Sequence, residues 1–335
     1  MRPVPADRFA SAPPPVRDGV RLMVAAHRRP LRHLRFTDLP SALEPGDLVV
    51  VNTSDTEPAA VDGLRGGRPI VLHVSGPVAE GWAVELRTPD GYRVLDGRPG
   101  EVLDLPHGVR ATLVGGGPRI WAARIPVEGG LRGYLTTVGR PITYSYLRER
   151  PGLAEYRTVF ARSGGEFGSA EMPSAGRPFT PAVLAGLRER GVGLAEVVLH
   201  TGVSSLEAGE TPLPERYRVP TATVAAVDAT REAGGRVVAV GTTVTRALES
   251  VADETGTLHP GSGTTELVLG PRRRARVVDG LVTGWHEPEA SHLALLLAVA
   301  GRSLVERAYA AALDGDYRWH EFGDSCLLLP RPARR

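Results

Sequence analysis

Residues 237–240, Val-Val-Ala-Val, run directly into Gly241-Thr242-Thr243 and then into a helix-forming stretch. This juncture constrains the fold more than any other part of the chain. A short run that is apolar at every position belongs to a strand covered on both faces. Gly241 ends the run, and the hydroxyls of Thr242 and Thr243 can take up the N–H groups left open at the start of the following helix. From 245 to 250 the sequence is helical in character, with Arg246 and Glu249 three apart on one side. Strand, glycine turn and helix in this order place backbone donors and hydroxyls at the carboxyl end of a buried strand. That is where α/β folds hold ligands.

The same grammar recurs. Residues 48–51 form a second apolar run that ends at Asn52-Thr53-Ser54-Asp55-Thr56. Residues 194–199 end at His200-Thr201-Gly202, and a strand around Val282 ends at Thr283-Gly284-Trp285-His286. Short strands are expected at 20–24 and 33–36, and a strand pair at 264–269 with 275–281. Helices are expected at 36–43, from Pro181 (capped by Thr180) to near Gly191, ahead of 237, and over 291–311. Residues 163–169 read as a glycine-rich loop, and 317–329 closes the chain. Buried strands alternating with helices describe an α/β barrel or an open parallel sheet.

Between the second and third of these strands the texture changes. Apolar stretches at 70–74, 82–86, 92–95, 109–113 and 119–125 alternate with Gly, Pro and Asp turns and show no helical period. Such spacing predicts a small β-barrel or sandwich. The expected organisation is an α/β barrel-like catalytic domain over 1–61 and 140–335, with a small β-barrel domain inserted at 62–139. A chain of 335 residues has room for both.

Composition removes several chemistries. All 40 basic residues are arginine, so no lysine is present to form a Schiff base with pyridoxal phosphate or a substrate carbonyl. The single cysteine, Cys326, allows no intramolecular disulfide and no cysteine-based zinc cluster. A net charge of +2 does not by itself announce nucleic-acid binding. The apolar stretch 294–300 is far too short to cross a bilayer, and a cytoplasmic protein without membrane attachment is expected.

The motifs add up in order. Pro45-Gly46-Asp47-Leu48 with Asn52-Thr53, Tyr156-Arg157-Thr158-Val159, and Pro173-Ser174-Ala175-Gly176 with Phe179 come first. Leu199-His200 with Gly202 follows, and then Val240-Gly241-Thr242-Thr243 with Arg246 and Leu248-Glu249-Ser250. Val277 to Thr283 with His286 and Pro288, and Tyr317-Arg318 with Gly323-Asp324, complete the series. Over nearly the whole chain this pattern resembles the S-adenosylmethionine:tRNA ribosyltransferase-isomerases of queuosine biosynthesis. The resemblance implies an α/β barrel with an inserted small β-barrel. It also implies S-adenosylmethionine as co-substrate and ribosyl donor, with no metal. The acceptor would be the 7-aminomethyl-7-deazaguanine base of a tRNA, and adenine and methionine would leave as epoxyqueuosine forms. Such chemistry asks for a base next to the sulfonium carbon, proton donation to adenine, and groups that hold the donor's hydroxyls and carboxylate.

Carried over position by position, the resemblance makes His200, His286 and Glu249 the catalytic candidates. Asn52, Thr53, Ser174, Gly176, Gly202, Gly241, Thr242, Thr243, Arg246, Asp279 and Thr283 become the donor-binding candidates. Each has a plainer reading: histidines that only tie down loops, a helix-surface pair for Arg246 and Glu249, and a turn cap for Asp279. Arg246 otherwise suits the methionine carboxylate through its bidentate fork. Arg272, Arg273 and Arg274 form the one concentrated basic run, either a tRNA phosphate contact or a solvated loop. Asp324 reads as structural.

Departures fall on polar positions. The family usually carries arginine where this chain has Asp55 and Ala60, and histidine where it has Pro178. Its His-Ser-Glu-Tyr segment is Pro214-Glu215-Arg216-Tyr217 here, and the Ser-Thr after the His286 segment is Ala290-Ser291. His292, where the family is apolar, is either a new polar group in the pocket or an exposed helix residue. Asp55 in particular would repel a phosphate. These exchanges leave the donor in place and open the acceptor to either tRNA or a small-molecule amine. A tRNA-independent enzyme that eliminates or cyclises the donor, and a non-catalytic donor-binding relative, are the other readings. A monomer or a dimer is expected.

Overall fold

The computed structural model describes residues 2–164, 167–203, 213–270, 272–287 and 291–330. Pro288 and Ala290 of the matched motifs lie outside these residues. The strands are β1 (Arg21–Ala26), β2 (Arg32–Arg35), β3 (Leu48–Asn52), β4 (Ala60–Arg65), β5 (Arg68–Val78), β6 (Gly81–Arg87), β7 (Val102–Asp104) and β8 (Arg110–Gly116). They continue with β9 (Ile120–Arg124), β10 (Gly193–Leu199), β11 (Glu215–Val219), β12 (Val237–Val240), β13 (Gly261–Thr265), β14 (Gly280–Gly284) and β15 (Ser325–Leu329). The helices are α1 (Leu39–Ala42), α2 (Leu131–Val138), α3 (Leu153–Tyr156), α4 (Pro181–Glu189), α5 (Thr221–Glu232), α6 (Gly241–Ser250), α7 (Ser291–Ala300) and α8 (Arg302–Asp314).

The larger unit is a mixed sheet of nine strands in the order β13-β11-β10-β3-β12-β14-β15-β1-β2. Its centre, β10, β3, β12 and β14, is parallel. The apolar runs are unbroken because both faces are covered. Val50, Val197, Ala239 and Leu281 face one core with helices α5 to α8, while Val49, Val51, Val238, Val240 and Val282 face another with Phe36, Leu39 and α4. The expected α/β class is therefore present, and so is the inserted barrel. Strands β4-β5-β6-β9-β8-β7 close on themselves around their own core of Val61, Leu72, Val84, Leu86, Leu113 and Trp121. They enter the chain between β3 and β10.

Several local expectations are corrected. Residues 92–95 form no strand, contributing only a single bridge at Arg93, whereas β4 and β7 complete the barrel. The strand expected at 264–269 does not pair with 275–281: β13 pairs with β11, and β14 lies between β12 and β15. The long helix over 291–311 is two, broken at Gly301, whose φ is +76°. No helix of the described residues is long and apolar enough to cross a membrane.

Candidate active site

The carboxyl ends of the four parallel strands lie side by side, and polar groups follow each of them along that edge. At the end of β12 the chain turns at Gly241 with φ +90°, in the left-handed region that favours glycine. A Cβ on this residue would stand 3.2 Å from the Cβ of Ala175. That close approach brings the 3-10 turn Ser174–Gly176 onto the start of α6. Helix α6 begins at Gly241 itself and has no side-chain cap, so Thr242 and Thr243 lie in its first turn rather than before it. The Oγ1 of Thr243 is buried without a hydrogen-bond partner among the described residues. An uncapped helix start beside a buried, unpaired hydroxyl is a ready receptor for carboxylate or hydroxyl oxygens.

His200, at the end of β10, is held by serines. Its Nδ1 lies 2.8 Å from Ser54 Oγ, which lies 2.7 Å from Ser169 Oγ, which accepts the Thr201 N–H at 3.1 Å. In the order Thr201, Ser169, Ser54, His200 each hydroxyl accepts once and donates once. Neighbouring Gly202 donates its N–H to Glu215 at 3.1 Å, and a Cβ on it would meet Ser75 Oγ of the small barrel at 2.5 Å. Glu215 is buried, which pushes its carboxyl above the usual range; the paired Arg246 guanidinium opposes that shift. Arg246 also donates to the carbonyls of Leu267 (3.2 Å) and Thr265 (3.3 Å). Each of its three nitrogens thus has one partner within the protein. Its ion-pair partner is Glu215 and not Glu249, which displaces the reading of a surface pair with Glu249.

His286 follows β14. Thr283 Oγ1 donates to the Gly284 carbonyl at 3.1 Å, so the 3.2 Å contact between Thr283 Oγ1 and His286 Nε2 needs the proton on the ring. That tautomer leaves the lone pair on Nδ1. The ring stacks on His292, with centroids 4.6 Å apart and planes 9° apart, which places His292 against His286 rather than on an exposed helix face. Burial holds His286 well below its ordinary pKa, and His292 and His320 add to the effect. Burial also lowers His292 and His320, each to about 4. The three imidazoles are neutral at pH 7.

Other candidates have structural tasks. Glu249 is fully buried, and its carboxylate accepts the N–H groups of Arg276, Val277 and Val278 at 2.8–3.2 Å. It anchors the segment leading into β14 and is not placed to move a proton. Asn52 clasps two strand ends, donating to Leu199 O at 2.8 Å and accepting from Leu199 N and Ser54 N at 3.0 Å. Thr53 donates to Val197 O at 3.3 Å. Asp279 accepts the N–H of Val237, at the amino end of β12 and so away from the ligand edge. Asp324 accepts from the N–H groups of Arg21 and Arg318. Arg273 donates to the Glu249 carbonyl, whereas Arg272 and Arg274 are exposed. Asp55 is buried against Arg157 (2.9 Å) and Ser163 (2.8 Å). Its charge is compensated within the protein, so the expected repulsion of phosphate does not arise.

Sequence reading missed a set of acids and tyrosines beside this cluster. Tyr144 donates to Glu171 and Tyr146 to Glu321, and the two rings stack with centroids 5.9 Å apart. Tyr146 also stacks on His320 at 4.5 Å. Burial raises Glu321 to about 7, with the Glu171 charge adding to it. The Glu171 charge also raises Glu215, which joins this set to the Arg246 side of the site. Only Glu171, in a matched motif's approach, carried a signal; the others sit in irregular segments without periodicity. Among the described residues no group of three or more His, Cys, Asp or Glu could hold a metal ion.

Comparison with known proteins agrees with this architecture over its full length. The family described as "Queuosine biosynthesis protein" matches residues 3–328. The chain is 37% identical to the S-adenosylmethionine:tRNA ribosyltransferase-isomerase of Moorella thermoacetica, with 97% of each chain covered. It is 38% identical to the protein of the same name from Symbiobacterium thermophilum, again over 97% of each. The crystal structure of S-adenosylmethionine tRNA ribosyltransferase from Thermotoga maritima is similar, with a TM-score of 0.56 and 31% identity over 98% of this chain and 99% of that one.

Proposed function

Because the chain belongs to the queuosine biosynthesis protein family, that of the S-adenosylmethionine:tRNA ribosyltransferase-isomerases, we propose the reaction of that family for it. It is a transferase-isomerase that moves the ribosyl carbons of S-adenosylmethionine to an amine. The amine is the aminomethyl group of 7-aminomethyl-7-deazaguanine in tRNA, and adenine and methionine leave. The observation that supports the reading is the placement of His200, His286, Thr243 and the uncapped α6 along the sheet's carboxyl edge, in a chain alike to these enzymes from end to end.

The donor is a sulfonium cation, and the site's electrostatics suit it. Three neutral imidazoles do not repel it, and the carboxyls of Glu171, Glu215 and Glu321 lie close by. His286 Nδ1, which carries the lone pair in the tautomer set by the Thr283 contact, is the base that takes the proton next to sulfur. His200, on its serine chain, exchanges the second proton, that of the leaving adenine. The start of α6 with Gly241, Thr242 and Thr243, together with Ser174, Gly176, Gly202 and Thr283, holds the donor's carboxylate and hydroxyls. Asn52, Thr53, Asp279, Arg246 and Glu249 keep that frame in register. The family's usual histidine is Pro178 here, and His292 brings an imidazole to His286 from another direction.

The test is incubation of the purified protein with S-adenosylmethionine, with and without tRNA carrying the aminomethyl base. Release of adenine and methionine in equal amounts only with that tRNA supports the reading. Release without tRNA would assign a tRNA-independent reaction, and no release in either case would contradict catalysis.

A further inference from the structure

A groove of about 380 Å³ runs between the small barrel and the segment 143–150. His73, Arg87 and the exposed Asp90 line it from the barrel, and Arg140, Tyr144, Arg148, the exposed Glu149 and Arg150 line it from the other side, so cations and carboxylates share this surface. Two of these arginines are committed: Arg140 pairs with Asp62 at 2.7 Å and Arg87 with Glu85 at 3.0 Å. Arg87 keeps a buried Nε without an acceptor among the described residues. Arg148 and Arg150 are exposed, and neither side chain has a hydrogen bond or ion pair among the described residues. Tyr144 is half-buried, so its ring lines the groove while its hydroxyl reaches inward to Glu171. A concave surface with two uncommitted guanidinium groups and an aromatic ring is the combination that single-stranded nucleic acid uses. Phosphates take the cations and an unstacked base takes the ring.

We propose that this groove, and not the basic run at 272–274, docks the backbone of the acceptor RNA, with phosphates on Arg148 and Arg150 and a base against Tyr144. The inference rests on the tRNA reading above and deepens it. Glu171, on the inner side of Tyr144, neighbours both the His200 chain, through the Thr201 hydroxyl that donates to its carbonyl at 2.5 Å, and the acid pair with Glu321.

The measurement is the affinity of the full chain for tRNA between about 50 and 200 mM salt, with donor affinity read in parallel. Alanine at both Arg148 and Arg150 is expected to weaken tRNA binding at low salt by roughly tenfold or more. It should also flatten the log–log salt slope by about 1.5, the loss of two phosphate contacts, and leave donor affinity unchanged. Tyr144→Leu should weaken binding roughly tenfold while Tyr144→Phe retains it. Wild-type affinity and slope in the double variant would overturn the groove assignment and leave the proposed reaction standing. A wild-type chain that binds donor but no tRNA even at low salt would overturn both.

Discussion

His286 shows how much a residue's chemistry depends on what encloses it. An exposed histidine would be partly charged near pH 6.5; here burial and two neighbouring imidazoles hold it neutral well below that. His286→Gln should therefore lower turnover by roughly 10²–10⁴-fold with donor affinity within about threefold of wild type. Steady-state and binding measurements on the same preparation check this. The depressed values also make a stability claim. Unfolded histidines take up protons below about 6.5, whereas His292 and His320 do so only near 4. Stability is thus fully present above about 6.5 and falls as pH drops from there toward 4. Denaturant titrations across that window should show the fall, and it should be shallower in His292→Gln. Glu249→Gln should cost about 2–3 kcal/mol of stability, by weakening three bonds to a charged acceptor, while leaving the pH–rate profile in place. At this scale the sequence was a partial guide. It pointed to His200 and His286 because both stand where a buried strand ends. It could not show that the Glu249 carboxylate is consumed by backbone donors, or that Asp55 meets Arg157, because those partners are about 27 and 102 residues away.

At the scale of elements, legibility followed burial. Strands β3, β10, β12 and β14 are covered on both faces, so their sequences are apolar throughout and announce themselves. Strands β7, β11 and β13 are short or lie toward a sheet edge, and their mixed polar sequences carry no such mark. The 291–311 stretch read as one helix because its apolar residues continue across Gly301, where only the positive φ separates α7 from α8. The juncture of β12 and α6 gives a direct check. Gly241→Ala would need a strained φ and would press on Ala175, so it should destabilise by about 1–2 kcal/mol and weaken donor binding, read by thermal shift with and without donor. Strand β4 begins at Ala60, within the first segment assigned to the catalytic unit, so a fragment of 60–139 rather than 62–139 should unfold cooperatively on its own when followed by tryptophan fluorescence.

At the scale of the molecule, a net charge of +2 conceals a division of labour. Arg157, Arg177, Arg236 and Arg246 are struts, the last three buried or half-buried, paired with Asp55, Glu155, Asp47 and Glu215. Arg148 and Arg150 are left for solvent or a partner. Total charge is blind to that distinction, which is why composition gave no sign of an RNA ligand. The inserted barrel meets the larger sheet where Ser75 closes on Gly202 and accepts the Val203 N–H. The central claim is that the donor's ribosyl carbons end up on the tRNA. Donor labelled with ¹³C in the ribose, incubated with protein and tRNA bearing the aminomethyl base, tests it directly by mass spectrometry of the digested tRNA. The expected product is a modified nucleoside heavier by five labelled carbons, formed in step with free adenine. Label that remains in a small molecule while adenine is released would contradict it.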